Sequence, residues 1–325
     1  MNFKFSIVLL FFVLVFSQCS KEKYKQAGLL SLKSFGSNPG NLAAYYYEPE
    51  NATSNMPLVV VLHGCTQNAK DVAELSDWNK LADTYGFYVL YPEQKAINNI
   101  SNCFNWFQAE DFNKNSGENA SIKNMILEMQ SKFGTNNYKT SITGLSAGGA
   151  MSMVMVSVYP DMFHAGAIMS GGPYKAATNT FASIGAMAGN VSKTPQEWGE
   201  LVKTQNTSYV GDYCKLAIFH GKDDNVVDFK NAQEIVKQWT NVTESDLTNG
   251  TETLTFDGTA DIKRIDYSNM YNVLKVSKFE ISNMGHALAI NPGSGEKEGG
   301  KTGTYGKDKD FFSSYWAAEF FDLIP

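Results

Sequence analysis

The chain has 325 residues, 43% hydrophobic, 18% charged and 13% aromatic, with a net charge of −6. That profile belongs to a packed globular protein and excludes disorder, collagen and coiled coil. With no long basic run there is nothing to recruit a phosphate backbone, so a nucleic-acid role is excluded too. Four His and four Cys give poor support for a multi-site metalloprotein.

Lys4 is followed by the apolar run Phe5–Phe16, then Ser17, Gln18, Cys19 and the charged Lys21, Glu22 and Lys23. A positive start, an apolar stretch and small or polar residues read as an export signal over residues 1–19. The stretch is too short to span a bilayer, which needs about 20 residues. Cys19 stands where a bacterial lipoprotein carries its acylated cysteine, although Gln18 departs from the usual small residue before it. A lipid anchor at Cys19 and simple cleavage after Cys19 or Ser20 are the two alternatives. Either way the protein is expected to be extracellular, where disulfides form. Beyond Cys19, Cys65, Cys103 and Cys214 allow at most one internal pair.

Residues 20–34 read as a polar leader and 35–325 as one domain. Leu42–Tyr47 suggests a first edge strand, and Pro57–Leu62 a β-rich run ending at His63-Gly64. Helical spacing over Ala69–Tyr85 puts Val72, Leu75, Trp78, Leu81 and Ala82 on one face. Phe87–Tyr91 is the next strand, stopped by Pro92, and Ser121–Phe133 the next helix. Tyr138–Thr143 and Ala147–Tyr159 repeat the pair. Phe163–Met169, Lys215–Phe219 and Val276–Ile281, the last strand, follow, and Phe311–Leu323 is a closing helix. Apolar strands alternating with helices predict an α/β fold, a mostly parallel sheet with helices on both faces. Residues 172–210 and 243–274 break the rhythm and read as insertions over one sheet edge.

The strongest chemical signal is Gly144-Leu145-Ser146-Ala147-Gly148, directly after a predicted strand and before a predicted helix. The glycines let the chain turn so sharply that the serine hydroxyl projects from the sheet, with the Ala147 N–H aimed at the same spot. A serine needs a base, and His is the usual one. In the α/β-hydrolase order of Ser, acid, His, His63 is excluded. His164 and His220 lie in or at the ends of apolar strands, where a structural role is simpler. His286, in a Gly-rich loop after the last strand, is preferred. The acid belongs after a strand between the two, where Asp223 and Asp224 are equal candidates and Asp228 reads as a first-turn carboxylate of the next helix. The second oxyanion donor is expected from His63-Gly64-Cys65-Thr66, as the N–H of Cys65 or Thr66.

These segments resemble the esterase group of poly(3-hydroxybutyrate) depolymerase catalytic domains, feruloyl esterases and acetylxylan esterases. The similarity rests on Phe35–Leu42, Leu62–Asn68, Asn102–Phe107, Gly144–Gly149, His220–Asp224, Met284–His286 and Asn291–Gly295. It implies an α/β-hydrolase fold, selects Asp224 over Asp223, and implies a Cys65–Cys103 disulfide beside the oxyanion loop. Two departures stand out. His164 replaces a small residue, and Ala287-Leu288 replaces the Gly-Trp that often borders the cleft. Trp106 is carried over as a cleft residue.

The expected activity is therefore serine esterase chemistry without metal or organic cofactor. Ser146, Asp224 and His286 form the triad, and the Ala147 and Cys65 N–H groups hold the oxyanion. The favoured substrate is xylan carrying feruloyl or acetyl groups, with a polyester depolymerase as runner-up and a non-catalytic binding protein third. A monomer is expected.

Overall fold

The computed structural model describes Tyr24 and residues 27–324. The export signal and Cys19 lie outside the described residues.

The chain enters through β1 (Leu30–Ser31) and β2 (Ala43–Tyr47). The stretch read as a leader thus contributes the outermost strand, Leu30 pairing with Tyr46, so β2 is one strand in from the edge. β3 (Leu58–Leu62) is wholly buried. Its alternate residues Leu58, Val60 and Leu62 enter one apolar core, while Val59 and Val61 enter another on the opposite face. That two-sided burial explains its unbroken apolar run.

The single helix expected over 69–85 is two, α1 (Ala69–Ser76) and α2 (Trp78–Tyr85). Asp77 between them takes a left-handed conformation with φ 54°, its N–H capping Ala73. Asn68 caps α1 by accepting from the Asp71 N–H at 3.0 Å. β4 (Tyr88–Glu93) runs through Pro92 instead of stopping before it. Past Leu90 the strand no longer pairs with β3, so the missing proline N–H loses no bond on that side.

Then come α3 (Ala109–Phe112), α4 (Gly117–Phe133), β5 (Thr140–Leu145), α5 (Ala147–Val158) and β6 (Ala165–Met169). The stretch 172–210 holds α6 (Thr180–Met187) and α7 (Pro195–Lys203), the latter closed by a Thr194–Glu197 capping box. β7 (Lys215–Gly221) and α8 (Lys230–Val242) follow. The stretch 243–274 extends the sheet: β8 (Thr251–Thr253) and β9 (Ile262–Ser268) are added antiparallel beyond β10 (Leu274–Ile281). β10 is not the last strand, because β11 (Leu288–Ile290) and β12 (Gly306–Asp308) form a small parallel pair before α9 (Ser313–Phe320).

The large sheet has the order β1-β2-β4-β3-β5-β6-β7-β10-β9-β8, parallel from β4 to β10. Side chains of α4, α5 and α8 fill one core and those of α1, α2 and α9 the other. All twelve residues of α5 are buried. Among the described residues no helix is long and apolar enough to cross a membrane.

Candidate active site

Ser146 lies between β5 and α5 with φ 58° and ψ −119°. A non-glycine residue at this φ is strained, and strain of this kind persists where the surroundings fix it. The fixing comes from both sides. The Ser146 N–H donates to Met169 O, its carbonyl accepts from the Ala150 N–H, both at 2.9 Å. The turn also needs its glycines. A Cβ on Gly148 would sit 2.3 Å from Leu62 O, and one on Gly144 2.4 Å from Gly148 O.

The candidate acid and base come from the C-terminal ends of β7 and β10, on the same edge of the parallel sheet as Ser146, where open α/β sheets bind ligands. Gly221 brings those loops together, its Cα so near Met284 O that a Cβ would lie 2.3 Å away. The Asp223 N–H donates to Met284 O at 3.0 Å. Asp224 then reaches His286, Oδ2 to Nδ1, at 2.7 Å. Its Oδ1 accepts the N–H groups of Val226 and Val227, both at 2.9 Å. The structure thus joins Asp224, and not Asp223, to His286.

Burial pushes the Asp224 carboxyl up. The hydrogen bonds from His220 and His286, the His286 charge and the Val227 N–H outweigh it and hold the group well below the usual carboxylate range. His220 was missed by sequence reasoning as a partner of this carboxylate. It is wholly buried, donates from Nε2 to Val227 O at 2.8 Å, and lies 3.4 Å from Asp224 Oδ2. Its place four residues before Asp224 was the available signal. His164 stands apart on the surface, bonded to Asp322 at 2.7 Å.

The turn after β3 separates Cys65 from Thr66. The Thr66 N–H is engaged by Ser101 O at 2.6 Å, and the Gly64 N–H by Gln67 Oε1 at 2.8 Å. Among the described residues the N–H groups of Cys65 and Ala147 have no such partner. That leaves those two donors free for an oxyanion, with the α5 dipole behind the second. His63 is structural: fully buried, it donates from Nδ1 to Gly64 O at 2.8 Å and accepts the Gln94 N–H on Nε2 at 3.0 Å. Burial lowers its pKa to about 4, outweighing the Gly64 bond.

The Cys65–Cys103 disulfide implied by the resemblance is present and ties the turn to the loop 94–105. Cys214 is a buried free thiol, pushed up to about 12 by burial. Glu118 anchors that loop from α4, accepting the Asn105 N–H and Nδ2 at 2.7 Å each and the Gln94 amide. No sequence signal pointed to it. A mostly apolar cavity of about 250 Å³ opens beside Ser146 and Ala147, walled by the disulfide, Trp106, Phe107 and α6 residues such as Met187. Leu288 is buried in β11. Among the described residues no group of three or more His, Cys, Asp or Glu side chains is placed to hold a metal ion.

A serine on a strained strand–helix turn, with an Asp–His pair at the same sheet edge, defines an esterase of the α/β-hydrolase class. Residues 42–252 match the family model described as esterase PHB depolymerase, and the chain belongs to that family. It is 38% identical to poly(3-hydroxyalkanoate) depolymerase C of Paucimonas lemoignei, over 91% of this chain and 70% of that protein. It is 34% identical to feruloyl esterase B of Talaromyces stipitatus, over 66% of this chain and 62% of that one. Among solved structures, acetyl xylan esterase from Aspergillus awamori superposes with a TM-score of 0.73 at 26% identity, covering 79% of this chain and 93% of that one.

Proposed function

We propose that this chain is an exported serine esterase that removes feruloyl or acetyl groups from plant cell-wall xylan. The Ser146 Oγ attacks the ester carbonyl while His286 takes its proton through Nε2. Asp224 holds the Nδ1–H and so fixes the tautomer. The N–H groups of Cys65 and Ala147 receive the developing oxyanion. The C–O bond then breaks, and the alcohol of the polysaccharide leaves with the proton from His286. Water, activated by the same imidazole, releases the acid from Ser146.

The observation that carries the substrate reading is the cavity beside Ser146. Trp106 and Phe107 meet there edge to face, with ring centres 5.3 Å apart, and offer an apolar wall to a planar aromatic acyl group. Export is supported by the apolar N-terminal run and by the disulfide, which persists in oxidising compartments.

A polyester depolymerase is the second reading. It is favoured by Ile97, Ile100, Phe181, Ile184 and Val226, all exposed. Each adjoins or lies close in sequence to a residue lining the cavity. The test compares the protein and Ser146→Ala on methyl ferulate, acetylated xylan and emulsified poly(3-hydroxybutyrate). Release of ferulate or acetate, lost in the variant, supports the first reading. Clearing of the polyester alone supports the second. Activity that survives in Ser146→Ala overturns the triad.

A further inference from the structure

At the opposite end of the parallel strands lies a second concavity. One part, of about 570 Å³, is lined by the end of α7, the loop before β7 and the β9–β10 turn. The other, of about 410 Å³, continues it past Tyr138 and the His164–Asp322 pair. The two share Tyr209, Asp212, Tyr213 and Lys275, so they form one open trough. β7 runs from Lys215, at the trough, to Gly221, beside the candidate acid. Six steps along a strand put the two ends on the order of 20 Å apart.

Five exposed large hydrophobic side chains line this trough: Tyr138, Val210, Met270, Tyr271 and Val273. Tyr138 is 88% exposed and Tyr271 76%, and packing within the fold explains neither. Exposed apolar side chains grouped in this way mark interaction sites.

We propose that the trough is a second, non-catalytic binding site for a neutral polysaccharide chain. A sugar ring offers a C–H face that lies on tyrosine and a rim of hydroxyls that needs polar partners. Tyrosine suits such a boundary, with an apolar body and a wet tip. Glu200, Lys203, Asp212 and Asn269 supply the acceptors and donors between the rings. Lys275 faces Asp212 at 3.8 Å and Lys215 pairs with Asp322 at 2.7 Å, so mixed charge gives a polyanion or polycation no advantage. A polyester chain has no hydroxyl donors and would desolvate Glu200 and Asp212 without bonding them. An open trough admits a polymer strand, and a second grip raises the local concentration of ester at the catalytic edge. The choice of polysaccharide rests on the substrate reading above, whereas the site itself does not.

The test uses sedimentation with insoluble xylan stripped of its esters, which gives the catalytic cavity no acyl group to hold. Turnover of 4-nitrophenyl acetate is measured in parallel. The protein is expected to sediment with the xylan. The double variant Tyr138→Ala/Tyr271→Ala is expected to bind about tenfold more weakly with unchanged turnover. Equal binding by both, or binding by neither while ferulate or acetate is still released from decorated xylan, overturns the proposal. Tyrosine-dependent binding to a poly(3-hydroxybutyrate) film in place of xylan overturns the sugar assignment. Tyrosine-dependent binding to xylan without release of either acid supports the trough and overturns the catalytic reading alone.

Discussion

Asp224 divides its two carboxylate oxygens between duties: Oδ2 meets Nδ1 of His286 at 2.7 Å, while Oδ1 is pinned by the N–H groups of Val226 and Val227. The carboxylate is thus fixed before it orients anything, and the ring it orients has a defined tautomer. Asp224→Asn is expected to lower kcat by about 10⁴-fold. Asp223→Asn, one residue away, is expected to stay within about threefold of the parent, well below what loss of a proton-transfer group costs. Steady-state kinetics on methyl ferulate decide this, and the reverse ranking would move the acid to Asp223.

His63 and Asp224, both buried, respond to acid differently. His63 has a folded pKa of about 4 against 6.5 when free, so the unfolded chain takes up its proton first as pH falls. His63 therefore contributes a loss of about 3 kcal/mol between about pH 6.5 and 4. Asp224, held low, keeps its contribution through that window and loses it only as pH falls through its depressed value. Denaturant unfolding across this range checks the slope. His63→Phe should remove its share of that slope, and an unchanged slope in that variant would assign the proton elsewhere.

The Cys65–Cys103 bridge closes a segment with a sequence separation of 38. Chain entropy alone assigns such a closure about 4 kcal/mol. Cys103→Ser is expected to lower stability by about 2–4 kcal/mol. It should also lower turnover by up to about 10²-fold through displacement of the Cys65 N–H. Unaltered turnover would mean that the Thr66–Ser101 hydrogen bond holds the turn by itself.

Two glycine substitutions should act in opposite directions. A Cβ on Gly148 would meet Leu62 O at 2.3 Å and His63 O at 2.6 Å. Gly148→Ala is expected to destabilise by about 1–3 kcal/mol or more. A Cβ on Gly185, inside α6, would meet nothing within 4 Å, and Gly185→Ala should stabilise by about 0.5–1 kcal/mol. Thermal unfolding of both variants tests the pair.

The central strands and the serine turn were legible in the sequence because both leave local marks. β3 is apolar along its whole length, since both faces are covered, and the turn at Ser146 demands glycines at Gly144 and Gly148. What stayed hidden depends on neighbours distant in sequence. β8 is Thr-Glu-Thr, exposed throughout, and becomes a strand only by pairing with β9. The break at Asp77 needs a left-handed residue that is not glycine. Cys65 was the expected oxyanion donor, but the bond that occupies the alternative Thr66 N–H runs to Ser101, 35 positions away in the chain. Glu118 anchors residues 94–105 from a helix whose sequence looks like any other.

The serine rides at the start of α5, buried along its whole length, whereas the cavity wall is completed by α6, which keeps Phe181 and Ile184 in solvent. Reaction centre and substrate wall therefore tolerate change very differently. Substitutions at the exposed Phe181 and Ile184 touch few neighbours and are expected to be nearly neutral for folding, whereas Ser183 and Ala186 on the same helix are buried. A lineage exploring new acyl groups can vary the exposed face of that helix without disturbing the machinery beneath it.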